Sequence, residues 1–169
     1  MEETKIKNLI RAWRNKSNNE GDQFASLVYI WICFNAWMEH ISNEDTYRRM
    51  INELVKRKQN MRSLFEMYDM AVSANDEFLK RSVSALSCMS QEKPIEDMRK
   101  NPRRREPPIT IKDENDFENI VQAIYRIRCN LFHGGKDADD MRDQVLTKHA
   151  AMILRQWIGR LITQWDHEN

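Results

Sequence analysis

The chain has 169 residues, 41% hydrophobic and 31% charged, which suits one domain around one core and excludes a disordered chain. With 27 basic and 26 acidic residues its net charge is +1, too balanced for a broad phosphate-binding surface. Any nucleic-acid contact is therefore confined to a patch or a pocket. Glycine and proline number only four each, too few for a turn-rich sandwich or barrel.

The first predicted helix is Glu3–Lys16, with Ile6, Leu9, Ile10 and Trp13 at helical spacing. Asn18, Asn19 and Gly21 end it, and Asp22 is placed to cap the next. That second helix, Gln23–Ile41, is nearly all apolar and is expected at the centre of the fold. Asn35 interrupts its stripe of Phe24, Val28, Trp31 and Met38. A buried amide needs partners, so Asn35 reads as a clamp between helices, or as a group that orients Arg128 or binds substrate. Glu39, one turn on, has the same two readings. Ser42–Asp45 resembles a cap for a third helix reaching about Lys58. Residues 61–89 read as one helix or two, with the break near Ser73–Asp76.

Residues 91–112 differ from the rest. They hold all four prolines and the run Arg103-Arg104-Arg105. This is read as an irregular loop, either a solvated linker or a basic flap that meets phosphate. Helix resumes from about Glu114 to Phe132 and stops at Gly134-Gly135. A last helix is expected from about Ala138 to Trp165. The sum is an all-α, up-and-down bundle of five or six helices in a single domain, 1–169, with a Pro/Arg-rich loop before its penultimate helix.

Cys33, Cys88 and Cys129 are odd in number and far apart, which argues for free thiols rather than a disulfide framework or a zinc site. The start Met1–Lys7 is charged, and the apolar stretch Leu27–Phe34 is too short to span a bilayer. A cytoplasmic setting without membrane contact is expected. No phosphate-binding glycine loop, nucleophile elbow or metal-ligand spacing occurs, so no metal or cofactor is expected.

Chemistry concentrates in Tyr125–Lys136. The stripe Phe117, Val121, Ile124, Leu131 advances by four, three and seven, and residue 128 falls on it. An inward guanidinium is costly unless it meets an anion or several acceptors. Arg128 is thus a candidate anion-binding group, with a salt bridge to Glu39 as the alternative. His133 stands at the helix end before two glycines, where an imidazole can face a cleft and exchange a proton near neutral pH. Its plainer reading is a cap on the helix dipole.

The segment Arg128-x-Asn130-x-x-His133-Gly134 resembles the R-x4–6-H motif of the HEPN superfamily, small helical domains that include metal-independent ribonucleases. Trp31–Trp37 (WICFNAW) is similar to a helix found in several branches, and Pro107-Pro108-Ile109 to the loop before the motif helix. The resemblance implies a HEPN-like fold and an endoribonuclease acting on RNA. It implies a homodimer whose two motifs share one cleft. The 2′-OH would attack to leave a 2′,3′-cyclic phosphate and a 5′-OH. Arg128, His133 and Asn130 would be catalytic, Asn130 through orienting hydrogen bonds. Asn35, Glu39, Lys136 and Arg103–Arg105 would meet substrate. Phage defence or a toxin–antitoxin system, with an inhibitor or antitoxin protein as partner, fits the family. The alternative is a non-catalytic HEPN-like module that binds RNA, a nucleotide or a protein.

Overall fold

The computed structural model describes residues 2–133 and 139–168. Among these, seven α-helices form and no β-strand, one helix more than the upper count expected from sequence. They are α1 (Glu3–Asn19), α2 (Gln23–Ile41), α3 (Tyr47–Val55), α4 (Arg62–Ser73), α5 (Glu77–Glu92), α6 (Phe117–Phe132) and α7 (Met141–His167).

Local chemistry sets the boundaries. Asp22 caps α2 by accepting from the Ala25 amide at 2.7 Å. The third helix starts later than expected, because Thr46 rather than the Ser42–Asp45 run supplies the cap, accepting from Arg49 N. It also ends earlier, at Val55. Arg57 adopts φ 53°, and the Lys58 amide reaches back to the Glu53 carbonyl at 2.9 Å. The same device separates α4 from α5. Asn75 adopts φ 55°, Asp76 N donates to Ala71 O, and the Asp76 carboxylate caps Leu79 N. The expected break thus resolves into two helices.

The core gathers around α7, which packs against α1, α2, α4, α5 and α6. Trp157 is fully buried at its middle, with Phe34, Tyr68 and Phe117 ringed around it at centroid distances of 5.0–5.7 Å. Its Nε1 donates to the Leu64 carbonyl at 2.7 Å, so the indole closes its one polar group inside the core. α2 is buried on most sides, as expected, with only Glu39 of its residues exposed, and it shares the centre with α7. Along α2, Phe24, Val28 and Asn35 remain only half-buried. Its uniformly apolar sequence therefore exceeds what its packing in one chain uses.

The Pro/Arg-rich segment is neither a free linker nor a loose flap at its base. Ile95 and Ile109 exchange both backbone hydrogen bonds, at 2.9 and 3.0 Å, and they and Ile111 are buried. Ser87 donates to the Ile111 carbonyl and the Ile111 amide donates to Ser90 Oγ, both at 2.9 Å. Residues 93–111 thus form a strap laid over α6. Its tip, where Pro102–Arg104 makes a short 3₁₀ turn, is exposed throughout, whereas along the two limbs exposed residues alternate with buried Ile95, Asp97 and Ile109.

Candidate active site at the end of α6

The strap changes what α6 buries. Its apolar stripe meets the bundle, and a second side meets the strap. Arg126 is only 8% exposed on that side. Its Nη1 donates to the Ile95 carbonyl at 3.3 Å and to the Pro107 carbonyl. Burial pulls the Arg126 guanidinium below its ordinary value, an effect opposed by Asp97 and Glu106. Asn130, 2% exposed, behaves like a residue of a β-ladder. Its Nδ2 donates to the Glu96 carbonyl at 2.8 Å, and its Oδ1 accepts from the Met98 amide at 3.0 Å. The orienting bonds of Asn130 go to the strap; none reaches Arg128.

A cavity of about 150 Å³ opens between α3, α6 and the strap. Gln122, Arg126, Cys129 and His133 line it from α6, at steps of four, three and four that share one helix face. Arg48 of α3 and Asp97, Arg99 and Glu106 of the strap complete the wall. Tyr125 also faces it, and burial, with the neighbouring Cys129, pushes its hydroxyl up to about 12. His133 caps α6 and its side chain is exposed at the rim, its amide closing on the Cys129 carbonyl at 2.9 Å.

Charge in this wall is tightly paired. Arg99 grips Asp97 through Nε, at 3.0 and 2.8 Å from the two oxygens, and through Nη2. The Glu106 amide adds a bond to Asp97 at 2.9 Å. The Arg99 guanidinium holds the Asp97 carboxyl far below the usual carboxylate range, against the opposing effect of burial. Glu106 in turn faces Arg48, Arg99 and Arg126, the last two at 3.9 Å.

Arg128 sits elsewhere. Five residues of helix place it roughly 140° around the axis from His133. It is half-buried in an aromatic stack, with its guanidinium carbon 4.4 Å from the ring centre of Phe132, 5.5 Å from Trp31 and 5.6 Å from Tyr47. Its Nη1 lies 3.9 Å from Cys129 Sγ, and its buried Nε has no hydrogen-bond partner. The salt bridge to Glu39 does not form. Glu39 is exposed and accepts from Asn35 Nδ2 at 2.9 Å along the same helix. Asn35 is thus neither a clamp between helices nor a wall of the cavity. Its buried Oδ1 and the Nε1 of Trp31, one turn before it, lack partners too.

Arg103, Arg104 and Arg105 are exposed at the strap tip and line, with Arg48, Arg99 and Glu106, a shallow depression beside the cavity. Lys136 and the two glycines lie outside the described residues. The structure therefore brings His133 near the basic strap, and sets Arg128, Asn35 and Glu39 on another side. Sequence reasoning missed Arg48, Asp97, Arg99, Glu106 and Arg126. Only the fold joins them, since Arg48 precedes α6 by some seventy positions.

Among the described residues, no group of three or more His, Cys, Asp or Glu is placed to hold a metal, and no helix is long and apolar enough to cross a membrane. Cys33 is buried, donates to the Ile10 carbonyl, and is pushed up to about 12 by that burial. Comparison of the chain with known families, curated proteins and solved structures finds no match.

Proposed function

We propose that the protein is a HEPN-like endoribonuclease that cleaves RNA without a metal, through His133 and Arg128 of two protomers sharing one cleft. The observation that carries this reading is His133, an exposed imidazole at the mouth of an arginine-lined cavity. An imidazole there meets solvent and strand alike, and arginines draw a phosphodiester to it.

One chain offers one such imidazole, whereas cleavage by internal attack needs a base and an acid. A two-fold pair supplies both. One His133 takes the ribose 2′-OH proton. The other protonates the departing 5′-oxygen. Within one chain Arg128 lies on another side of α6 from His133, so it would steady the charge building on the phosphorane only across the pair, from the partner protomer. The products are a 2′,3′-cyclic phosphate and a 5′-OH.

Pairing is supported by the polar atoms left open on the Trp31 face. Trp31 Nε1, Asn35 Oδ1 and Arg128 Nε are each buried without a hydrogen-bond partner. Buried orphans of this kind normally find partners, and a second copy can supply them. Tyr47 and Phe132, 37% and 53% exposed, flank the same guanidinium and add apolar area to that face. The competing non-catalytic reading needs both His133 and Arg128 tied up by partners in their own chain; the rings around Arg128 fit it, and the exposed His133 does not. Glu39, the carboxylate expected to pair with Arg128 on that reading, is engaged by Asn35.

The test is incubation of purified protein with mixed-sequence RNA in EDTA, followed by end-group analysis. The expected result is cyclic phosphate and 5′-hydroxyl ends, absent with His133→Ala and with Arg128→Ala. Cleavage that survives His133→Ala refutes the assignment.

A further inference from the structure

Three arginines from three separate elements converge on a single carboxylate. Arg48 comes from α3, Arg99 from the strap and Arg126 from α6, and all three face Glu106. Asp97 already satisfies Arg99, and main-chain carbonyls satisfy Arg126. Glu106 is thus an extra anion for Arg99 and Arg126, which have other partners, and the partner of Arg48. It is not sealed there: the side chains of Glu106 and Arg48 are 35% and 64% exposed. The depression around Glu106 is walled by Arg103, Arg104 and Arg105 as well. Six guanidiniums against two carboxylates leave this corner strongly positive in a chain of near-zero net charge.

A carboxylate gathered by planar guanidiniums occupies the position a phosphate oxygen pair takes. We infer that Arg48, Arg99 and Arg126 form a phosphodiester subsite for single-stranded RNA, and that Glu106 holds it closed until the strand displaces it. The RNA identity rests on the ribonuclease reading; the anion subsite does not. The same cavity wall carries His133, so a strand seated on the arginines runs past the imidazole. Glu106 follows Arg103–Arg105 directly, so the strap tip carries both the gate and the residues that would first meet the strand.

The test uses the full chain and a labelled single strand of 2′-O-methyl RNA, which binds but cannot be cleaved by internal attack. Glu106→Gln removes the competing charge and keeps the shape, and is expected to tighten binding roughly fivefold. Arg48→Ala, at an exposed position, is expected to weaken it by a similar factor and to lower the salt slope by about 0.7, one phosphate contact on a single strand. Arg48→Ala should melt with the parent and Glu106→Gln close to it, because the amide oxygen still faces Arg126, whose main-chain carbonyl partners remain. Unchanged affinity in both variants overturns the subsite. So does a Glu106→Gln variant that binds less and melts lower, since Glu106 is then only a structural ion-pair partner. Inorganic phosphate or a mononucleotide displacing the strand at matched phosphate concentration assigns the site to a small anion and overturns its assignment to RNA. Binding that responds as expected with no cleavage of ordinary RNA leaves the subsite standing and removes the nuclease. Cleavage that depends on His133 but ignores both variants does the reverse.

Discussion

On one side of α6, Ile120, Val121, Ile124 and Ile127 join the apolar interior, where Phe117 stacks against Trp157. On the other side, Arg126 and Asn130 are buried too, 8% and 2% exposed, but there they meet carbonyls, an amide and the Glu106 carboxylate of the strap. The first side is held by shape and area, which tolerate change in small steps. The second is held by specific pairs, each of which leaves a buried group unsatisfied when its partner is lost. The apolar side fixes where α6 lies. The polar side fixes what surrounds its end, and the cavity with His133 belongs to that side.

The largest expected effect falls on the apolar side. Trp157→Ala should cost about 3–5 kcal/mol in urea unfolding, because a fully buried ring is removed and Leu64 O loses its donor. A loss under about 1 kcal/mol would show that the core does not gather there. On the polar side, Asn130→Ala should cost about 1–3 kcal/mol by stranding Glu96 O and the Met98 amide. Hydrogen exchange should then accelerate at Met98 while the amides of α7 keep their protection. Equal acceleration in both would erase the distinction between the two sides.

Acid sharpens the comparison further. Asp97 has its folded value well below the ordinary 3.8, with Arg99 as the main cause. The unfolded chain therefore binds more protons in that range. The stabilisation is complete above about pH 4 and is lost as pH falls toward the folded value. Asp97→Asn should flatten this acid limb of a melting-temperature profile and lower the plateau above it. An unchanged acid limb would contradict the assignment. The smallest effect should come from His133→Ala. An exposed side chain at a helix end should shift stability by less than about 0.5 kcal/mol, read by the same urea titration, while cleavage is abolished.

Most helices were legible because caps and periodicity are local. Asp22 and the Ser73–Asp76 break act within a few residues of themselves. The position of Arg128 on the apolar stripe was legible too, but not its depth. Near the helix end the stripe meets Trp31 and Tyr47 rather than the closed core, so the guanidinium stacks instead of pairing. The strap was the largest gap. Its isoleucines are spaced too irregularly to show period, and Ile95 and Ile109 pair across fourteen positions. Without the strap, nothing in the sequence marks Arg126 and Asn130 as buried, or Arg48, Arg99 and Glu106 as neighbours.

The shared site can be tested most directly by poisoning. Parent protein is mixed with rising amounts of His133→Ala protein at constant total concentration, subunits are allowed to exchange, and the rate of RNA cleavage is followed in EDTA. If each cleft needs two imidazoles, the rate falls as the square of the parent fraction. A rate that falls in simple proportion to that fraction would mean that each chain acts alone, and would contradict the two-protomer site.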